Sequence, residues 1–142
     1  MNDVIVKSIT RIIVPFAQLY GIFIIVHGHI SPGGGFSGGA LIGTSLILYT
    51  LVFGLKAGEE KFSHRVSEFA ESGGIFLYVV IGLVGMVFAG SFLTNLAAGF
   101  PAGTPGALLS AGMIPILMIG IGIKVASTII TLFHILIEDE NL

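Results

Sequence analysis

Few side chains in this sequence can do chemistry, and most of them are histidine, lysine or hydroxyl groups set among aliphatic neighbours. Lys124, Ser127, Thr131, His134 and Glu138 follow one another at spacings of 3, 4, 3 and 4. On a helix they share one face. Lysine and histidine on a polar stripe could pass protons or guide an ion, because both groups can gain and lose a proton in a suitable environment. The competing reading is structural: a lysine bonded to carbonyls or to a partner's carboxylate. Serine and threonine within apolar helices often bond back to their own turn, which would take Ser127 and Thr131 out of a relay. The second constellation is His27 and His29. Imidazole suits proton transfer or metal ligation. Two histidines with no carboxylate or cysteine nearby make a poor metal site. They read as an interfacial pair hydrogen-bonded to exposed carbonyls, with a relay role open.

These two histidines begin the stretch His-Gly-His-Ile-Ser-Pro-Gly-Gly-Gly-Phe-Ser-Gly-Gly, residues 27–39. Pro32, Gly33 and Gly34 specify a tight, non-helical turn. Gly33, Gly35 and Gly38 match the G-x-G-x-x-G pattern, but a dinucleotide site needs a strand before it. Here an apolar run precedes the pattern, so nucleotide binding is not expected. Gly35, Gly39 and Gly43 recur every four residues. With Ala40 and Thr44 beside them, they leave a bare groove in which another helix can approach closely.

The elements that carry these residues are membrane helices. Of 142 residues, 10% are charged and 54% hydrophobic, and mean hydropathy is +1.04. Soluble domains carry about 25% charge. Cysteine is absent, and the net charge of −2 offers no basic footprint for nucleic acid. Four apolar runs reach the about 20 residues that a membrane helix needs. They cover about residues 9–26, 36–55, 73–93 and 107–137. The first lacks a small-residue cleavage site and reads as a span rather than a signal peptide. The expected fold is all-α: a single domain of four transmembrane helices, with the Gly/Pro-rich turn between the first two.

Lys7, Arg11, Lys56, Lys61 and Arg65 then fall on one side of the membrane, and the opposite connections carry no Lys or Arg. The positive-inside rule predicts that both termini are cytoplasmic. In the 56–72 connection, Phe62, Val66 and Phe69 stand at helical spacing, which suits either a short surface helix or a solvated linker. With these boundaries no Asp or Glu falls inside a span. Lys124 lies about 13 residues from the end of span four, or about 20 Å. Snorkelling over about 6 Å cannot bring it to water, so it should face protein or internal water.

The 27–39 stretch, the length, the four spans and the lysine in the last span resemble the MrpB/MnhB family of small membrane subunits of multisubunit Na⁺/H⁺ antiporters. The motif positions carrying the likeness are His27, His29, Pro32, Gly33, Gly34, Gly35, Phe36, Gly38 and Gly39. The resemblance implies a large assembly in a cell membrane, with antiporter-like partner subunits performing much of the ion transfer. It extends to the Mrp-like modules of archaeal membrane-bound hydrogenases and sulfane sulfur reductases. It implies no cofactor and no catalytic residue. An accessory subunit also suits the missing carboxylate and the exposed small-residue faces. A self-sufficient homo-oligomeric channel or carrier would use the glycine turn as its filter. An intramembrane enzyme would need a nucleophile–base pair that this sequence lacks.

Overall fold

The computed structural model describes residues 2–139, and these form helices and turns with no strand among them. Helix α1 is Asn2–His27, α2 is Gly35–Phe53, α3 is Leu55–Lys61, α4 is His64–Ala89 and α5 is Ile114–Asp139. Helices α1, α2, α4 and α5 are long and apolar enough to cross a membrane. At 1.5 Å per residue, the three 26-residue helices run to about 39 Å, past a hydrocarbon core of about 30 Å.

The helix boundaries differ from the sequence expectation, and one difference matters. Hydropathy places the start of the third span at residue 73, but α4 begins at His64. The chain breaks not at the charged residues but at Gly54, with φ of 94°, and at Phe62 and Ser63, which are extended. Glutamate, alanine and arginine are adequate helix formers, so 64–72 continue into the apolar run. Val66 and Phe69 therefore ride on α4 rather than on a separate surface helix; α3 fills part of the connection instead. Glu68 and Glu71 consequently lie inside a candidate span, which overturns the expectation that no span holds a carboxylate. At its far end α4 stops at Gly90, whose left-handed backbone lets its N–H bond the Met86 carbonyl. Helix α5 starts at Ile114, seven residues later than expected. Pro115 lies in its first turn, where a missing N–H costs no helical bond.

Packing centres on α5. It contacts α1, α2 and α4, and α2 also packs along α1. Among the described residues no comparable packing joins α1 to α4. Glycine sets the separations. A Cβ added at Gly35, Gly39 or Gly43 would lie 2.5, 2.5 or 3.0 Å from the carbonyl oxygens of Met118, Gly122 and Ala126. The groove read from the sequence is thus filled by α5 of the same chain, rather than left exposed for a partner. Gly74 on α4 makes a like contact, 2.7 Å from the Gly120 oxygen.

At the end of the bundle away from the termini, the turn 28–34 and the segment 90–113 meet. Gly34 opens α2 with φ 106° and ψ −167°, a region only glycine occupies readily. In the longer segment, Asn95 donates to the Ala111 carbonyl at 2.9 Å and accepts from the Met113 N–H at 3.1 Å. Ile81, Met113 and Leu117 form a small buried core beneath it.

Gly39→Leu should unfold the α2–α5 contact, because a backbone carbonyl cannot yield as a side chain can. The expected loss is about 3 kcal/mol or more, whereas Phe36→Leu on the exposed side of α2 should cost little. Thermal unfolding of the purified chain in detergent checks both.

Candidate functional site between α4 and α5

Lys124, Ser127 and Thr131 of the α5 stripe face α4, and two polar clusters lie along that contact. The first is charged. Lys124 Nζ lies 3.7 Å from Glu71 Oε1, and the Thr128 hydroxyl donates to the same oxygen at 2.7 Å. Glu71 is seven residues into α4, about 10 Å along its axis, and Lys124 is ten residues into α5, about 15 Å along. Both charges therefore sit within their helices, not at the ends. A lone ion at such depth costs a few kcal/mol; pairing and a hydroxyl donor offset that cost. The pair is not sealed. About a third of each side chain remains exposed on the bundle surface, 36% for Lys124 and 30% for Glu71. Glu71 also lines an open groove of about 570 Å³ with Glu68, Phe69, Ser72 and Ile75.

The second cluster is made of hydroxyls. Ser67 Oγ lies 2.9 Å from Ser127 Oγ and 2.7 Å from Thr131 Oγ1, and it donates to the Ser127 carbonyl at 3.1 Å. The Ser127 hydroxyl in turn donates to the Ser67 carbonyl. Ser67 and Ser127 are 1% and 0% exposed. These hydroxyls bond across the helix pair rather than back to their own turns. Among the described residues no hydrogen bond joins Lys124 to Ser127, so the stripe consists of a charged pair and a separate hydroxyl clasp. His134 follows one turn later, buried, with its ring 6.1 Å from that of Phe133. The Glu138 side chain lies outside the described residues.

Sequence reasoning does not single out Ser67, Glu71 or Thr128. A signal is nonetheless present: Ser67, Glu71 and Gly74 stand at spacings of 4 and 3, the same rhythm as the α5 stripe. It becomes visible once residues 64–72 are read as helix.

The histidines of the turn lie apart from this seam. His27 Nδ1 is 3.0 Å from the Phe23 carbonyl, and its ring stacks on Phe23 at 4.0 Å. His29 Nε2 is 3.2 Å from the Ala107 carbonyl, which ties the two connecting segments together. Among the described residues no three His, Asp or Glu side chains cluster as metal ligands would. Gly35 gives its N–H to Met118 Sδ at 3.2 Å.

A family model described as a domain related to the MnhB subunit of Na⁺/H⁺ antiporter matches residues 5–131. The chain belongs to the MnhB family. It is 30% identical over 94 residues to a Na⁺/H⁺ antiporter subunit of Bacillus subtilis, covering 66% of this chain and 65% of that one. It is 39% identical over 116 residues to an uncharacterized protein of Methanocaldococcus jannaschii, covering 78% of this chain and 43% of that one. Among solved structures it resembles a chain of the membrane-bound sulfane sulfur reductase, an archaeal respiratory membrane complex. The TM-score is 0.74 at 34% identity, over 91% of this chain and 55% of that one. These matches span between two fifths and two thirds of the relatives' own lengths. This chain is thus a multi-pass membrane protein of an antiporter-subunit family.

Ser67→Ala removes the hub of the hydroxyl clasp. Interhelical bonds in membranes average about 0.6 kcal/mol each, so a loss of about 1–2 kcal/mol is expected. Ser37→Ala, outside the seam, should change little. Unfolding in mixed detergent micelles measures the difference.

Proposed function

We propose that this chain is an accessory membrane subunit of a multisubunit monovalent cation (Na⁺)/proton antiporter of the Mrp type. Its own contribution would be a polar seam adjoining an ion or proton path that neighbouring subunits complete. The observation that carries this reading is the Glu71–Lys124 pair, held inside two spanning helices with about a third of each side chain left open and Glu71 beside a lateral groove. A wholly structural pair has no need of that opening. In the proposed role, Glu71 and Lys124 respond to a charge or proton arriving from a neighbour, and water links them to Ser127, Thr131 and His134. One pair cannot alternate access by itself, which is why partner subunits are required. Both termini are proposed to be cytoplasmic, since Lys7, Arg11, Lys56, Lys61 and Arg65 all lie toward the end of the bundle that carries the termini and α3.

A second reading is favoured by the likeness to the sulfane sulfur reductase chain. The same kind of subunit would serve the ion-translocating module of an oxidoreductase-linked respiratory complex. In both settings the chain is proposed to be non-catalytic by itself and to act on the ion rather than on a redox substrate.

Substitutions at the pair test the role. Lys124→Ala and Glu71→Gln are each expected to lower cation-coupled proton transport in membrane vesicles by about tenfold, equivalent to about 1.4 kcal/mol, with assembly intact. Lys124→Arg should fail as well, because arginine keeps its proton yet still pairs with Glu71. Full activity with arginine would leave only a structural ion pair. For orientation, cysteines placed at Glu60 and Thr104 should label from opposite sides of sealed vesicles. Labelling from one side would defeat the proposed topology.

A further inference from the structure

A second feature lies away from the α4–α5 seam, near the end of the bundle that carries the termini. Arg11 of α1 and Lys61 of α3 line one cavity of about 240 Å³ with Val14, Pro15 and Tyr49. The Arg11 guanidinium stands 5.4 Å from the Phe53 ring centroid, and Lys61 Nζ stands 4.9 Å from that of Tyr49. Among the described residues neither cation is paired with a carboxylate. Both side chains are held by aromatic faces, and their charge remains unneutralised. Tyr49 and Phe53 occupy the last turn of α2, where aromatic side chains mark a membrane–water interface.

Below this basic mouth the same faces turn aliphatic. A cavity of about 400 Å³ is lined by Ile22, Ile25 and Val26 of α1, with Ile42, Phe62, Ala70 and α5 residues. On α1, Arg11 and Pro15 share a helical face with Ile22 and Val26. On α2, Ile42 and Tyr49 are seven residues apart and do the same. Consecutive residues Lys61 and Phe62 line the mouth and the aliphatic cavity in turn. The aliphatic cavity lies between α1 and α4, which do not pack against each other among the described residues. From Arg11 to Ile22 is eleven residues, about 16 Å, close to the about 15 Å depth of one leaflet's hydrocarbon.

We propose that the two cavities together bind one phospholipid. Arg11 and Lys61 hold its anionic headgroup, and one acyl chain fills the aliphatic cavity. Two cations without a carboxylate partner among the described residues stand at one cavity, and the lining of the other contains no polar side chain, which matches an anionic headgroup joined to an aliphatic chain. An acyl chain is thin, wholly apolar and attached to a phosphate at the required end.

Native mass spectrometry of the full chain, titrated with phosphatidylglycerol or phosphatidylcholine, tests the assignment. The unmodified chain should retain one phosphatidylglycerol and prefer it to phosphatidylcholine. Arg11→Gln or Lys61→Gln should weaken phosphatidylglycerol about 5-fold, and the double variant about 30-fold, with phosphatidylcholine unaffected. Ala70→Phe should weaken both lipids by filling the cavity. If that variant misfolds, the double variant of the two exposed cations still decides. Equal retention of phosphatidylglycerol by the double variant would overturn the proposal. So would displacement of the lipid by millimolar inorganic phosphate, which would mark a free-anion site. A photoreactive residue at Ala70 in the assembled complex should capture lipid; capture of a protein segment would also overturn it.

Discussion

A Cβ built on Gly39 would meet the carbonyl oxygen of Gly122 at 2.5 Å, and most of the fold follows from that separation. Lipid tails are as apolar as leucine, so burial alone does not draw membrane helices together. Close contact between backbones must supply the attraction through dispersion, which accrues only when surfaces touch. Gly35, Gly39 and Gly43 supply one surface, and Gly120 and Gly122 lighten α5 where it faces them and α4. With α5 fixed, its polar stripe has one direction left to face, and α4 lies there. The charged pair and the hydroxyl clasp depend on a contact made on the other side of the same helix.

That dependence explains how a lysine is tolerated within a span. Its ammonium meets a carboxylate that shares a hydroxyl donor, and both charged side chains stay partly exposed, the carboxylate beside a groove. The arrangement lies between a sealed ion pair, which would be inert, and a lone charge, which would be expelled. Buried pairs are weak contributors to stability, so their presence in so apolar a chain is better explained by the handling of charge than by folding.

The helical class, the four spans, the glycine groove and the α5 stripe are legible in the sequence because period and composition determine them. Glycines four apart can serve little except close contact, and a polar row at spacings of 3 and 4 must share a face. The start of α4 is not legible in the same way. Hydropathy weighs Arg65, Glu68 and Glu71 as solvated residues and ends the span before reaching them, whereas helix formation depends on backbone breaks, which lie at Gly54 and at Phe62–Ser63. The helical stretch 64–72 is lost in this way, and with it Ser67 and Glu71. The partner of Lys124 stands in the same chain, within one turn of the boundary that hydropathy sets. The cavity shared by Arg11 and Lys61 is beyond sequence reasoning, because three separate helices build it.

The unequal nature of the two faces of α5 has a mechanical consequence. Toward α2, backbone lies on backbone, and any rotation or sliding would drive carbonyl oxygens into neighbouring atoms. Toward α4 there is one such glycine contact, at Gly74 and Gly120, followed on the side of the termini by hydroxyls and a flexible lysine, which can exchange partners along a row of similar groups. Shear between packed helices proceeds through such small exchanges, but the Gly74–Gly120 contact pins α4 against α5 as firmly as the α2 glycines pin their side. Lys124 and the hydroxyls can then exchange hydrogen bonds by side-chain rotation, with both glycine joints intact.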